Sequence, residues 1–204
     1  EYDNIAKLKD CPKMMVRLVY CLGYGENELI KDKIAKNRGT PQFWKIFVAC
    51  TSEDTNFKFG EILKSKTKNF HERIENKIKI LEKLKEKGIW LLDASIIALN
   101  SRKVNGEEKK PTHKTRRRVI EICWKSYISK VIMEENPERI IIIGKGVEKG
   151  LKDYITNTPK ESSIQVRSLK IPCKVLSQPQ GIRTKEGIKS TFEEYQKLCN
   201  QKRV

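Results

Sequence analysis

Histidine is nearly absent from this chain of 204 residues, which carries only His71 and His113. Its six cysteines (Cys11, Cys21, Cys50, Cys123, Cys173 and Cys199) form no C-x-x-C pair and follow no regular spacing. Both shortages argue against the clustered ligands of a zinc or iron–sulfur site, so no metal and no cofactor are expected. Several cysteines sit inside apolar runs, which predicts buried free thiols in a reducing compartment rather than a disulfide framework. No apolar run reaches the length of a membrane span, and the first residues lack the charged, apolar, small-residue order of a signal peptide. The expected setting is intracellular, without a membrane partner: the cytoplasm, and the nucleoid if the cell is bacterial or archaeal. The chain begins at Glu1 rather than Met, so a few residues are expected to precede it.

Acid is in short supply as well. Against 43 Lys and Arg stand 26 Asp and Glu, a formal net charge of +17. Such an excess favours a polyanionic partner through phosphate neutralisation and counterion release, with nucleic acid first in line. The other explanation is a lysine-rich composition spread over a solvated surface, with the chain acting as a protein-interaction module. At 38% hydrophobic content the chain has enough apolar residues for one domain over 1–204 with a core of its own.

The elements alternate. Val16 to Leu22 is a short apolar run stopped by Gly23 and Gly25, the pattern of a strand buried on both faces. Residues 41–50 begin with Pro41 and carry Phe43, Trp44, Phe47 and Val48 at helical spacing. From 67 to 87, Phe70, Ile74, Ile78, Leu81 and Leu84 recur at threes and fours before Gly88, which predicts an amphipathic helix. The run IWLLDASIIAL that follows reads as a second buried strand, interrupted by Asp93 and Ser95. Residues 101–118 are dense in Lys and Arg with Gly106 and Pro111, and are expected to form a mobile loop or insertion that either embraces nucleic acid or is merely solvated.

A helix is expected over about 117–134, with Val119, Ile122, Cys123, Tyr127, Val131 and Ile132 facing inward, and RIIIIG (139–144) as a strand. After Gly144 a helix opens directly from that strand. Its free N–H groups either meet a phosphate or belong to an ordinary strand-to-helix turn. One or two strands follow in 165–169 and 172–176, and a last helix in 191–199. The expected fold is α/β: a three-layer α/β/α sandwich around a mainly parallel sheet of about four strands.

Four segments carry a more specific signal: LVYCLGYGEN (18–27), GTPQFWK (39–45), GIWLLDAS (88–95) and VLSQPQGI (175–182). In order and separation they resemble the uracil-DNA glycosylase superfamily, nearest its mismatch-specific uracil and thymine glycosylase branch, over about Val16 to Cys199. There a VVFC strand leads into a catalytic loop and an N-x-FWK segment follows, as LVYC leads into GYGEN with QFWK behind it. The branch's A-I-L-G-K is echoed by IIIIGK (140–145), and its V-L-P-N-P-S-G-L by VLSQPQGI. The resemblance implies a monomeric DNA glycosylase of base excision repair that flips a damaged or mismatched base, uracil or another deaminated base, out of duplex or single-stranded DNA. It then hydrolyses the N-glycosidic bond without metal or cofactor.

By position, the resemblance assigns the water-directing role to GYGEN, base reading to Asp93, and leaving-group contacts and the wedge to SQPQGI. Ungapped alignment puts Tyr24 at the water-directing position. A phenol with an ordinary pKa of about 10 is a poor base near neutrality, so Glu26 is preferred, then Asn27. Asp93 stands where relatives hold Asn. An ionised carboxylate only accepts hydrogen bonds, and so suits an amino-bearing base edge unless burial keeps it protonated.

Gln178 stands where relatives hold His or Asn and is expected to polarise the departing ring. Ile182 or Arg183 would fill the vacated stack. Gly23, Gly25, Gln42, Ser95, Lys145, Ser177, Gln180 and Gly181 complete the expected DNA and substrate contacts. Lys36 falls where some relatives stack a ring on the base, leaving Trp44, Phe47 or Trp90 as candidate rings. A catalytically inactive nucleic-acid-binding protein of the same fold is the alternative, because fold alone does not carry activity.

Overall fold

The computed structural model describes residues 22, 42–95, 102–104, 107–109, 111–158, 162–179 and 184–201. In chain order the described elements are α1 (Gln42–Thr51), a 3-10 turn (Phe59–Ile62), α2 (Phe70–Glu86), β1 (Arg102–Val104), β2 (Glu107–Lys109) and α3 (His113–Cys123). A π turn (Trp124–Ile128), α4 (Ser129–Glu135), β3 (Ile140–Ile143), α5 (Lys145–Gly150), a 3-10 turn (Lys152–Tyr154), β4 (Ile155–Asn157), β5 (Ser162–Val166), β6 (Leu169–Leu176) and α6 (Lys185–Asn200) follow. They fall into two compact units, Glu1–Trp90 with Pro179–Val204, and Leu91–Gln178.

The first unit is helical. In α1 the run Ile46 to Cys50 is buried, and Trp44 meets Phe47 edge-on at 5.4 Å between ring centroids. The carbonyls at its C-terminal end find side-chain donors: Asn200 and Gln196 of α6 donate to Ser52 O at 3.0 and 3.4 Å, and Lys87 donates to Cys50 O at 3.4 Å. An ammonium there also opposes the negative end of the helix dipole. At the start of α2, Asn69 Oδ1 accepts from the His71 N–H at 2.9 Å. The same helix ends where Gly88 takes φ +66°, letting the Ile89 N–H reach back to Leu84 O at 2.8 Å.

The second unit holds a sheet of strand order β3-β6-β5-β4. β3 and β6 run parallel, with Ile140 opposite Cys173 and Ile143 opposite Leu176. The other two pairings, β5 with β6 and β4 with β5, are antiparallel. The described sheet is thus mixed helix-and-strand architecture with a mostly antiparallel sheet, not the mainly parallel one expected. The reason is local: only Arg167 and Ser168 separate β5 from β6, and a two-residue turn joins antiparallel strands, whereas a parallel pair needs a crossover of a dozen residues or more. Arg167 takes φ +51° to make that turn.

Helix α3, the π turn and α4 present Ile120, Cys123, Trp124, Ile128 and Ile132 to the core formed with Ile142, Leu151, Ile164, Val166 and Ile171. Two inward residues expected from periodicity face water instead: Ile122 is 46% exposed and Tyr127 48%. Ile122 falls on the side of α3 opposite the buried Ile120, Cys123 and Trp124, while at Tyr127 the π turn, wider than an α turn, advances the helical phase. Gly150 of α5 gives α3 room, since a Cβ there would stand 2.8 Å from the Ile120 side chain.

Two more expectations are corrected. The basic segment 101–118 contains the β1–β2 hairpin, Arg102 opposite Lys109, and the first half of α3, which starts at His113 behind the Thr112 cap. Of IWLLDASIIAL (89–99), expected as a buried strand, the described part 89–95 joins no strand and its Trp90 is 62% exposed, while 96–99 lie outside the described residues. Of the expected first strand, 16–22, only Leu22 is described; it is helical and fully buried. No helix among the described residues is long and apolar enough to cross a membrane.

Candidate functional site

The parallel pairing of β3 with β6 sets the VLSQ part of VLSQPQGI, one of the four sequence segments, beside the IIIIGK strand that also echoes the resemblance. Carboxyl ends of parallel strands are where α/β sheets build sites. The Gly144 N–H continues the ladder by donating to Leu176 O at 2.8 Å. Gly144 itself takes φ +92°, a conformation L side chains rarely adopt. A Cβ on it would also lie 3.0–3.1 Å from Cγ, Cδ and Nε2 of Gln178. Glycine is required twice over, and its bare Cα is what lets Gln178 lie against the strand end.

On this rim Lys145, Ser177 and Gln178 are exposed, while Gly144 is buried. They offer an ammonium, a hydroxyl and a carboxamide: donors suited to an anion or a heterocycle edge. The backbone contributes less than the sequence allowed. Helix α5 is only six residues long, and Gly144 O already takes the Val147 and Glu148 N–H groups at 3.1 and 3.2 Å. An ordinary strand-to-helix turn describes it.

Asp93 and Ser95 belong to the same unit. Asp93 is exposed in a coil. Ser95 is half-buried, its Oγ accepting from the Cys123 thiol of α3 at 3.9 Å, and Ala94 packs on the core. Ser95 thus ties the DAS segment to α3, Ala94 packs on the core, and Asp93 is exposed. In the other unit Gln42 opens α1 and is half-buried. Of the candidate stacking rings, Trp44 and Phe47 are core residues and Trp90 is open to solvent. Gly23, Tyr24, Gly25, Glu26, Asn27, Lys36, Gln180, Gly181, Ile182 and Arg183 lie outside the described residues.

One residue beside the candidate loop escaped the sequence reading. Lys77 of α2 is 0% exposed; its Nζ donates to Leu22 O at 3.2 Å and stands 5.4 Å from the centroid of the Trp44 ring. Leu22 immediately precedes Gly23, the first residue of GYGEN. Arg73, one turn earlier and also buried, donates to Thr67 O and Lys68 O, both at 2.8 Å. Both cations share the α2 face with Ile74, Leu81 and Leu84, and that spacing was the available signal.

Among the described residues no three His, Cys, Asp or Glu side chains converge as metal ligands. The Cys50 thiol is pushed well up by its hydrogen bond to Cys199 and by burial, which keeps it protonated and unreactive. Burial likewise raises the Tyr195 phenol. An open groove of about 600 Å³ bordered by Glu53, Glu193, Gln196 and Asn200 belongs to the helical unit and holds none of the expected site residues. Comparison of the chain with protein-family models, with curated proteins and with solved structures finds no match in any of the three.

Proposed function

We propose that this protein is a monomeric DNA glycosylase that hydrolyses the N-glycosidic bond of a damaged or mismatched base, on a three-layer fold of the uracil-DNA glycosylase kind. The observation that carries the reading is the parallel β3–β6 pair, with Gln178 lying against Gly144 at the strand ends. It joins one of the four resembling segments, VLSQPQGI, to the IIIIGK strand at one rim. The positive charge supplies attraction for DNA, without saying which base is chosen.

In the proposed reaction a water oxygen bonds to the anomeric carbon as the carbon–nitrogen bond breaks. The water proton passes to Glu26, with Asn27 as the other candidate for orienting the water. Negative charge on the departing base is stabilised by the Gln178 carboxamide, and the base leaves as its conjugate acid after protonation from solvent. Asp93 reads an amino-bearing base edge, and Ile182 or Arg183 fills the gap in the stack. A non-catalytic DNA-binding protein of the same fold is the second reading. It is favoured by the exposure of Asp93, since a carboxylate reading a base belongs in a pocket that excludes water.

The test is incubation with duplex and single-stranded oligonucleotides bearing uracil, mismatched thymine, hypoxanthine, xanthine or alkylated bases, followed by alkali to cut abasic sites. Excision of at least one base is expected, and Glu26→Gln is expected to slow it by 10²-fold or more, roughly the contribution of a positioned general base. Asp93→Asn is expected to shift base preference more than rate. No product on any substrate, with salt-sensitive binding retained, would leave the second reading.

A further inference from the structure

We propose that the solvent face of α3 and its π turn, built from Lys114, Arg117, Arg118 and Lys125 around Ile122, docks on the phosphate backbone of duplex DNA. The inference rests on the DNA-directed reading above and adds to it a surface outside the β3–β6 rim.

Spacing puts Lys114, Arg118, Ile122 and Lys125 on one side, with Arg117 flanking Lys114 three residues on. Lys114, Arg118 and Ile122 follow one another at intervals of four and Lys125 comes three later, so they stack along the helix. From 114 to 125 the axis advances about 16 Å at 1.5 Å per residue. A DNA strand presents about five phosphates over that length, at 3.4 Å of axis each. The opposite side of α3 is packed, with Ile120, Cys123 and Trp124 in the core and Ile120 seated over Gly150. The cations are thus carried on a helix whose other side is packed into the core, which lowers the ordering cost of binding.

Charge on this face is less compensated by acidic residues than on α2. Helix α2 interleaves its lysines with Glu72, Glu75, Glu82 and Glu86, whereas α3 has Glu121 alone and no acid in its first turn. Glu121 is engaged: Arg118 and Lys125 donate to it at 2.9 and 2.7 Å, and those two hydrogen bonds hold its carboxyl below the usual range. Lys114 and Arg117 have no acidic partner among the described residues. Ile122, half in water between Arg118 and Lys125, gives the face an apolar centre suited to the deoxyribose between phosphates. A merely solvated face needs no isoleucine there.

The experiment is binding of a fluorescein-labelled undamaged duplex, read by anisotropy from 50 to 200 mM salt. It compares the full chain with the double variants Lys114→Gln/Arg117→Gln and Lys79→Gln/Lys83→Gln. The second pair removes the same charge from exposed positions of α2. Circular dichroism and urea unfolding check that each variant is folded. The α3 pair is expected to flatten the slope of log affinity against log salt by about 1.8, at about 0.9 per lost phosphate contact. It is also expected to weaken binding about tenfold near 100 mM salt. The α2 pair is expected to change the slope by less than about 0.5.

An unchanged slope in a folded α3 variant overturns the proposal, as does an equal change from the α2 pair. Absence of duplex binding by the unmodified chain at 50 mM salt also overturns it. Competition by poly-glutamate as effective as that by duplex, at equal charge, would replace DNA with an acidic protein partner. Because the duplex is undamaged, a chain that binds it through α3 yet excises no base loses the glycosylase reading and keeps this surface.

Discussion

IWLL at 89–92 and IIII at 140–143 are equally apolar four-residue runs, and they meet opposite fates. The second forms β3, pairs in register with β6 and buries Ile142. The first joins no strand and leaves Trp90 and Leu92 in water. Four β-branched side chains in succession favour a pleated, two-sided burial. IWLL has one, and two leucines that fit a helix as well. The larger difference lies in what surrounds the runs. β3 has β6 to pair with, and it leads into Gly144, which can take the turn that follows. IWLL follows the Gly88 helix stop, and downstream of it Ala94 packs on the core and Ser95 meets Cys123. Hydrophobicity marks a run for burial; a partner with unsatisfied backbone groups decides whether burial happens.

The contrast can be tested by substitution. Ile142→Ala is expected to cost about 3 kcal/mol in urea unfolding, from lost burial plus the cavity left behind. Gly144→Ala should follow at about 2 kcal/mol, the cost of a left-handed conformation plus displacement of Gln178. If the rim is catalytic, that variant should also lose excision activity while unfolding in a single transition. Trp90→Ser and Leu92→Ser are each expected to stay within about 0.5 kcal/mol of the unmodified protein, as exposed positions do. A cost at Trp90 comparable to that at Ile142 would mean that 89–92 is buried in solution, and the contrast would collapse.

Much of the secondary structure was legible because its causes are local. Threes and fours from Phe70 to Leu84, the Asn69 cap and the Gly88 stop all lie within one stretch of chain, and they delimit α2 within a few residues. The same holds for α1 and β3. Less of the candidate site could be read. GIWLLDAS named Asp93 but not its exposure, and VLSQPQGI named Gln178 but not the glycine it lies against. Lys77 was passed over because a lysine among lysines looks solvated until the carbonyl of Leu22 and the Trp44 ring are found beside it. In α3 ordinary helical spacing sets Ile122 opposite the buried Ile120, Cys123 and Trp124, and the π turn that follows shifts the phase at Tyr127.

By itself, then, the sequence determined the sign and excess of charge, where most helices begin and end, and which runs were able to become strands. Propensity, capping and periodicity act over a few residues and need no distant partner. Tertiary structure alone decided that β6 runs parallel to β3, that IWLL stays outside the sheet, and that Lys77 is buried while Lys114 and Arg117 are not. Each of those outcomes depends on backbone donors, acceptors and apolar surfaces contributed by residues far along the chain, and no local window contains them.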